Sequence, residues 1–153
     1  MKTLNFDEHF MKLAYVEAQK SMQMNEVPVG AIIVIDNKQV SQGHNQSIFQ
    51  NDPTSHAEIN AIRSASENIG NYRLAGATMY VTLEPCAMCY GAIVHARISR
   101  LVFGAYDPKT GACGSALKLH EEACFNHTPK ITGGVLEKNC SSFLKDFFKD
   151  KRN

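Results

Sequence analysis

The sequence has almost no excess charge and no long apolar run, and each shortage removes a class of proteins. With 16 Lys and Arg against 15 Asp and Glu, the net charge of +1 argues against a protein that coats nucleic acid or acidic membrane. No stretch approaches the roughly 18 apolar residues of a transmembrane helix. The first residues turn acidic where a signal peptide needs its apolar stretch, so the sequence predicts a cytoplasmic protein.

The five cysteines form an odd set in a chain that shows no export signal. A disulfide framework is therefore not expected, and metal binding or thiol reactivity becomes the first hypothesis. Cys86 and Cys89 are three residues apart, whereas nothing in the spacing of Cys113, Cys124 or Cys140 assigns them a role.

The 153 residues, 44% of them hydrophobic, suffice for one domain over residues 1–153, and no repeat or linker divides them. Apolar runs of strand length alternate with segments of helical periodicity. This order predicts an α/β fold of three layers, α/β/α, around a mixed sheet of about five strands. The predicted helices are 7–24 with Asp7 as its cap, 54–68, one that opens at 84, a short one that ends near 122, and 137–148, and the predicted strands are 29–35, 38–43, 77–83, 101–104 and 131–135.

Two motifs fall at predicted helix starts, where sites gather in α/β proteins. Cys86 and Cys89 share one face of a helix, about 5–6 Å apart at Cβ, which suits two sulfur ligands of one tetrahedral zinc. The alternative is that both are small core residues. His56 and Glu58 lie upstream at another predicted helix start. Glu58 could instead form a capping box with Ser55. Residues two apart on a regular helix also point to nearly opposite sides, so the spacing alone does not place both around one metal.

Together the motifs read H-A-E at 56–58 and P-C-A-M-C at 85–89, which resembles the signature of the zinc nucleobase deaminases. The resemblance implies that His56, Cys86 and Cys89 bind Zn²⁺, one ion per subunit. Three ligands leave a fourth position for water, as in catalytic zinc sites. It also implies that Glu58, which is not a ligand, takes the water proton, passes it to the ring and protonates the departing ammonia.

Over nearly its whole length the sequence is similar to the bacterial tRNA-specific adenosine deaminases. This resemblance implies hydrolytic conversion of the wobble adenosine (position 34) of a tRNA anticodon to inosine, by a homodimer with no nucleotide cofactor and no membrane partner. The matching segments include N-E-V-P-V-G-A at 25–31, G-H-N at 43–45, D-P-T-S-H-A-E at 52–58, N-Y-R-L at 71–74, Y-V-T-L-E-P-C at 80–86 and F-G-A at 103–105.

The same resemblance assigns contacts with the substrate. One residue bonds the flipped base, three form the pocket wall and two belong to a loop that meets the anticodon nucleotides. Taken alone, these positions also fit a turn asparagine, core residues and a solvated turn. Asn45 is the residue that bonds the base, the pocket wall consists of Val29, Ala57 and Leu83, and the loop residues are Asp107 and Lys109.

A basic and aromatic helix is predicted at about 137–150. Residues 138–153 carry five Lys or Arg against two Asp, a local charge of +3. Phe148 lies beside the apolar stripe of this helix, so it could face outward, and a basic surface with an exposed aromatic suits RNA. The alternative is a solvated terminal helix.

Three residues depart from the expected family pattern: Tyr90 where a small residue is expected, Ser55 in place of Ala, and Thr128 in place of Arg. Two other functions remain open at this point. One is deamination of a free base or nucleoside such as guanine or cytosine, which needs the same zinc chemistry. The other is a zinc-stabilised RNA-binding module without catalysis, against which Glu58 and the count of three ligands argue.

Overall fold

The computed structural model describes residues 5–152 of the chain, and for Arg152 the backbone alone. Within this range helices and strands alternate as the apolar pattern predicts. The α-helices are α1 (Phe6–Gln23), α2 (Ala57–Ile69), α3 (Ala87–His95) and α4 (Glu137–Arg152), and the strands are β1 (Gly30–Ile35), β2 (Lys38–His44), β3 (Thr78–Leu83), β4 (Arg100–Ala105) and β5 (Lys130–Thr132).

The five strands form one mixed sheet in the order β2-β1-β3-β4-β5. β1 pairs antiparallel with both β2 and β3, while β3, β4 and β5 are parallel to one another. β2 and β3 therefore run in the same direction, and the carboxyl ends of β2, β3 and β4 lie at one edge of the sheet. The loops that leave this edge lead to α2, to α3 and to the segment 106–118. Ligand sites of α/β proteins usually lie at such an edge, outside the carboxyl ends of the strands.

Two apolar clusters, one on each face of the sheet, make the core. Ile33 packs into a cluster that includes residues of α2 and α3, whereas Ile32 packs into one that includes residues of α1 and α4. Neighbouring side chains of a strand point to opposite faces, so a continuous apolar strand such as β1 is buried on both sides. The three layers α/β/α are thereby confirmed.

Two glycines allow helices to lie directly on the strands. A Cβ at Gly30 would overlap the backbone of Ala14 and Ala18 in α1, and a Cβ at Gly43 would overlap the backbone of α2. The close approach of α2 to β2 brings the start of that helix towards the edge of the sheet where the loops gather.

Several bounds differ from the prediction: α2 begins at Ala57 instead of 54, α3 at Ala87 instead of 84, and β5 ends at Thr132 instead of 135. Two local predictions were wrong. The cap of α1 is Asn5, whose side chain accepts from the Glu8 N–H, while Asp7 lies inside the first turn. The predicted short helix before residue 122 is only one 3-10 turn, Leu119–Glu121, because the residues before it form a loop with its own hydrogen bonds: the N–H groups of Ala116 and Leu117 both donate to the Gly111 carbonyl.

All five cysteines lie within the described residues and are free thiols, as the sequence predicts. Among residues 5–152, no helix combines the length and apolar character that crossing a bilayer requires.

Asp7 ties the first helix to the sheet. Its carboxylate accepts two hydrogen bonds of 2.7 Å from the Arg100 guanidinium and one of 3.0 Å from the Tyr80 hydroxyl. The hydrogen bonds with Arg100 hold the pKa of Asp7 below its ordinary value of 3.8. Burial, together with the bond to Asp7, raises the pKa of Tyr80 to about 12. The ionised carboxylate therefore stabilises the fold.

Replacing Asp7 by Asn should lower the free energy of unfolding by about 1–3 kcal/mol at neutral pH, because the buried partners lose an ionised acceptor. A lowered carboxyl pKa stabilises the fold above the unfolded-state pKa, and this is lost as the pH falls through the folded-state pKa. The difference from the parent protein should therefore shrink below a pH of about 4. Chemical denaturation across pH measures this.

Glu8→Gln is the matched control, since it removes the same charge from the same exposed helical turn without breaking this network. Equal destabilisation by the two variants would contradict the assigned role of Asp7.

Candidate active site

The sequence-predicted metal ligands meet at the starts of two helices. His56 is the N-cap of α2 and Cys86 is the N-cap of α3, and both have extended backbone. Because His56 precedes the helix, its side chain is not bound to the helical geometry that would separate it from Glu58. The objection that residues two apart point in opposite directions is thereby removed.

The three ligand atoms have the spacing of a tetrahedral zinc site. His56 Nδ1 lies 3.7 Å from Cys86 Sγ and 3.5 Å from Cys89 Sγ, and all three atoms lie within 4.8 Å of one another. Tetrahedral Zn–S and Zn–N bonds place such atoms about 3.6 Å apart. Two thiolates and an imidazole are also the donor types that favour zinc over harder divalent cations. The residues present therefore fit the ion.

The protonation of Cys86, Cys89 and His56 is linked through their mutual hydrogen bonds. A hydrogen bond with Cys89 lowers the pKa of Cys86 to about 4. The same hydrogen bond and burial raise the pKa of Cys89. The hydrogen bond with Cys86 raises the pKa of His56 above its ordinary 6.5. A positive ion among the three groups would release these protons, because each group binds a metal in its deprotonated form.

Glu58 lies in the first turn of α2 and is buried, 4% exposed. Burial raises the pKa of its carboxyl to about 7, which suits a group that takes and gives protons near neutral pH. The capping-box alternative is wrong for the described structure: the Ser55 hydroxyl donates to Gln50 at 2.7 Å and accepts from Asn60 at 3.0 Å.

A pocket of about 680 Å³ opens directly above these groups. This is the usual size of a small-ligand site. Its lining includes nine of the eleven residues predicted from the sequence. They are Val29, Asn45, His56, Ala57, Glu58, Leu83, Cys86, Asp107 and Phe148.

The side chain of Asn45 is fixed at the pocket wall. Its Nδ2 donates to the Val27 carbonyl at 3.3 Å, and its Oδ1 accepts from the Ser47 hydroxyl at 3.1 Å. The Ser21 hydroxyl holds its backbone carbonyl at 2.9 Å. An amide has two donor hydrogens and two acceptor lone pairs, so the bonds with residues 5–152 leave one of each available to a ligand.

The other two predicted residues lie outside this pocket. Cys89 is fully buried behind it, as a ligand below the floor should be. Lys109 lines an adjoining groove of about 830 Å³ between α4 and the loop after β4, together with Lys145 and Lys149. Phe148 and Asp107 belong to both cavities, so the groove continues the pocket.

Sequence reasoning missed two buried carboxylates at the pocket, Glu26 and Glu84, which are 1% and 2% exposed. Glu26 accepts the backbone N–H groups of Ile48 at 3.1 Å and Phe49 at 2.9 Å, and so holds the loop after β2. Glu84 holds the loop after β4 in the same way. An acidic residue inside an apolar run, as in V-T-L-E-P at 81–85, was the available signal.

None of the departures from the family pattern falls on a predicted metal ligand. Tyr90 is fully buried and packs edge-on against Phe125, with ring centroids 5.3 Å apart. Its hydroxyl has no hydrogen-bond partner among the described residues. Thr128 is exposed. Tyr90 therefore fills the core beneath α3 instead of facing outward from it.

The comparison with known families agrees with this geometry. Residues 4–105 match the family described as the cytidine and deoxycytidylate deaminase zinc-binding region. A guanine deaminase from Nitrosomonas europaea shares the fold, with a TM-score of 0.77 at 18% identity over 95% of this chain and 86% of that one. The sheet, the helix starts and the three ligands thus define the class, the zinc-binding deaminases.

Closer relatives narrow the class. The tRNA-specific adenosine deaminase of Haemophilus influenzae is 51% identical over 148 residues, 96% of this chain and 86% of that protein. A chain solved in studies of A-to-I editing by tRNA:A34 deaminases at the wobble position of transfer RNA superposes with a TM-score of 0.86 at 44% identity, covering 88% of this chain and 98% of its own. The chain belongs to the tRNA-specific adenosine deaminases.

Replacing Cys86 by Ser should lower zinc retention by about tenfold or more, because the site loses the thiolate that carries its negative charge. The zinc-to-protein ratio after dialysis against a chelator is the measurement. Cys124→Ser is the matched control at an exposed thiol. Equal zinc retention in the two variants would contradict the assigned ligand set.

Proposed function

We propose that the protein deaminates the wobble adenosine of a tRNA anticodon to inosine, with one Zn²⁺ held by His56, Cys86 and Cys89. We further propose that residues 1–153 act as one deaminase domain in the cytoplasm, where the five free thiols would stay reduced. The observation that carries this proposal is the buried Glu58, beside three groups spaced as zinc ligands at the floor of an open pocket.

The chemistry follows from these positions. Zn²⁺ held by His56, Cys86 and Cys89 would lower the pKa of a water molecule to about 7 and so supply the nucleophile. Glu58 is placed to accept one proton from water and deliver it to the ring nitrogen of adenine. It would then take the second proton from the hydroxyl added to the ring and give it to the amine, which leaves as ammonia. Its pKa of about 7 makes both protonation states accessible at neutral pH. Water and adenosine are consumed, and inosine and ammonia are released.

Binding of the base falls to the pocket walls. The free donor and acceptor of Asn45 fit hydrogen bonds with the base edge, and Val29, Ala57 and Leu83 provide apolar contact. A base that leaves its stack needs such a fitted pocket, because unstacking costs a few kcal/mol.

The surroundings of the pocket favour RNA over a free base. The groove that continues from it carries Lys109, Lys145 and Lys149, and Phe148 at 44% exposure stands where pocket and groove meet. Cations and an exposed aromatic are what phosphates and unstacked bases bind. A free base would leave this groove unused.

The test is a substrate panel. An anticodon stem-loop with adenosine at the wobble position should yield inosine and ammonia, whereas free adenosine, cytidine, cytosine and guanine should show no measurable turnover. Nucleoside analysis of the digested RNA and ammonia release give both readouts. Turnover of a free base at a comparable kcat/KM would favour the second deaminase hypothesis.

Glu58→Gln is the paired control. It should lower kcat by about 10²–10⁴-fold, because general acid–base catalysis contributes that much, while zinc content stays at the parent value. RNA and zinc binding by the parent protein without any deamination would instead support the non-catalytic module. Normal turnover by the variant would overturn the role of Glu58.

We also propose a homodimer, as the family resemblance implies. The outer face of α3 supports it: Met88 is 37% exposed, and Gly91 and Ala92 follow one turn on, only partly buried. A Cβ at Gly91 would meet nothing within 4 Å, so a second backbone can approach there. Small residues permit close packing of helices from two copies.

Met88→Glu should shift the protein to a monomer, because a charge would be buried without a partner in the interface. Sedimentation analysis measures the mass. Val16→Glu, at an exposed apolar position of α1, is the control and should leave the mass unchanged. A monomeric parent protein, or a dimer that survives Met88→Glu, would exclude this face.

A further inference from the structure

The loop after β4 depends on one buried side chain, that of Glu84, which is 2% exposed. Its Oε1 accepts from the Asp107 N–H at 3.0 Å and from the Ser115 hydroxyl. Its Oε2 accepts from the Cys113 N–H at 3.0 Å and the Ser115 N–H at 3.1 Å. A single carboxylate thus takes up three backbone donors and one hydroxyl that span the segment 107–115.

This segment is also pressed against the metal-binding helix start. The Glu84 N–H donates to the Ala105 carbonyl at 2.8 Å, and the Ala112 N–H donates to the Pro85 carbonyl at 2.8 Å. A Cβ at Gly111 would overlap the Glu84 carboxyl group. The segment therefore closes around the carboxylate, one residue before Pro85 and two before the ligand Cys86.

The loop so held carries the residues at the mouth of the pocket. Asp107 and Thr110 line the pocket, and Lys109 lines the adjoining groove. The Asp107 carboxylate accepts from the Lys109 N–H at 3.1 Å and from the Thr110 N–H and hydroxyl at 3.2 and 2.8 Å, so the turn 107–110 is itself ordered. The bond from the Asp107 N–H to Glu84 joins this turn to the end of β3.

We propose that Glu84 is a positioning residue for the substrate: it fixes the segment 107–115 so that the pocket mouth and groove are preformed for the RNA. It does not touch the reacting atoms. The identity of this RNA rests on the function proposed above, whereas the fixing of the loop does not. Preformed contacts bind more tightly because less conformational entropy is lost on association.

Glu84→Gln is the direct test. A glutamine has one oxygen, so two of the four donors lose their acceptor and face an NH₂ group. In the zinc-loaded protein, the Asp107 amide, or the amides of Cys113 and Ser115, should exchange about tenfold faster or more in residue-resolved hydrogen exchange, depending on which position the remaining oxygen takes. KM for the stem-loop should rise about tenfold, while kcat and zinc content change less than about threefold.

Two further variants separate positioning from general damage. Gly111→Ala leaves the carboxylate in place but forces the loop away from it, so it should reproduce both the faster exchange and the raised KM. Ser115→Ala removes one of the four donors but leaves both carboxylate oxygens bonded, so its effects on amide exchange and KM should be smaller than those of Glu84→Gln. Gly111→Ala alone decides the matter if Glu84→Gln fails to fold.

Two results would overturn the proposal. One is unchanged exchange of these amides in Glu84→Gln or, should that variant not fold, in Gly111→Ala. The other is loss of zinc and kcat with KM unchanged, which would mean that the carboxylate supports the metal site instead. Failure of the parent protein to deaminate the stem-loop would refute the proposed function. Because hydrogen exchange needs no substrate, it would still test whether Glu84 fixes the loop.

Discussion

The meeting of two helix starts at one edge of the sheet is the constraint on which the site depends. His56 caps α2 and Cys86 caps α3, and their ligand atoms come within 3.7 Å of each other although 30 residues separate them. β2 and β3 run in the same direction because both pair antiparallel with β1. Their following helices therefore begin at the same edge, and the glycine at 43 lets α2 lie close to β2.

Three buried carboxylates then divide the work around this edge. Glu58, whose carboxyl pKa burial raises to about 7, is the one beside the metal ligands. Glu26 and Glu84 each hold a loop by its backbone N–H groups, one on the β2 side of the pocket and one on the β4 side. Burial is costly for a carboxylate unless hydrogen bonds satisfy it, and the loops supply those bonds. The same contacts that order the loops thus satisfy the charges.

Features that depend on neighbours in the sequence were predicted correctly, whereas features that depend on residues distant in the chain were not. The facing ends of β1 and β2 were predicted correctly, because Asp36 and Asn37 are residue types that tolerate the positive φ of the tight turn between them. The cap of α1 was wrong because Asp7 bonds Arg100 and Tyr80 in distant strands. Glu26 and Glu84 were missed for the same reason: their partners lie 22 to 31 residues away along the chain.

The sequence by itself determined the alternation of strands and helices, the residue types of the metal site and the resemblance that names the family. Apolar periodicity and the spacing of His, Glu and Cys are local properties of a chain, so they can be read without coordinates. Only the tertiary structure decided that His56 stands outside its helix, that Asn45 keeps a free donor and acceptor, and that Glu84 holds the pocket mouth. Each of these depends on which residues distant in the chain come within hydrogen-bond distance, and packing alone decides that.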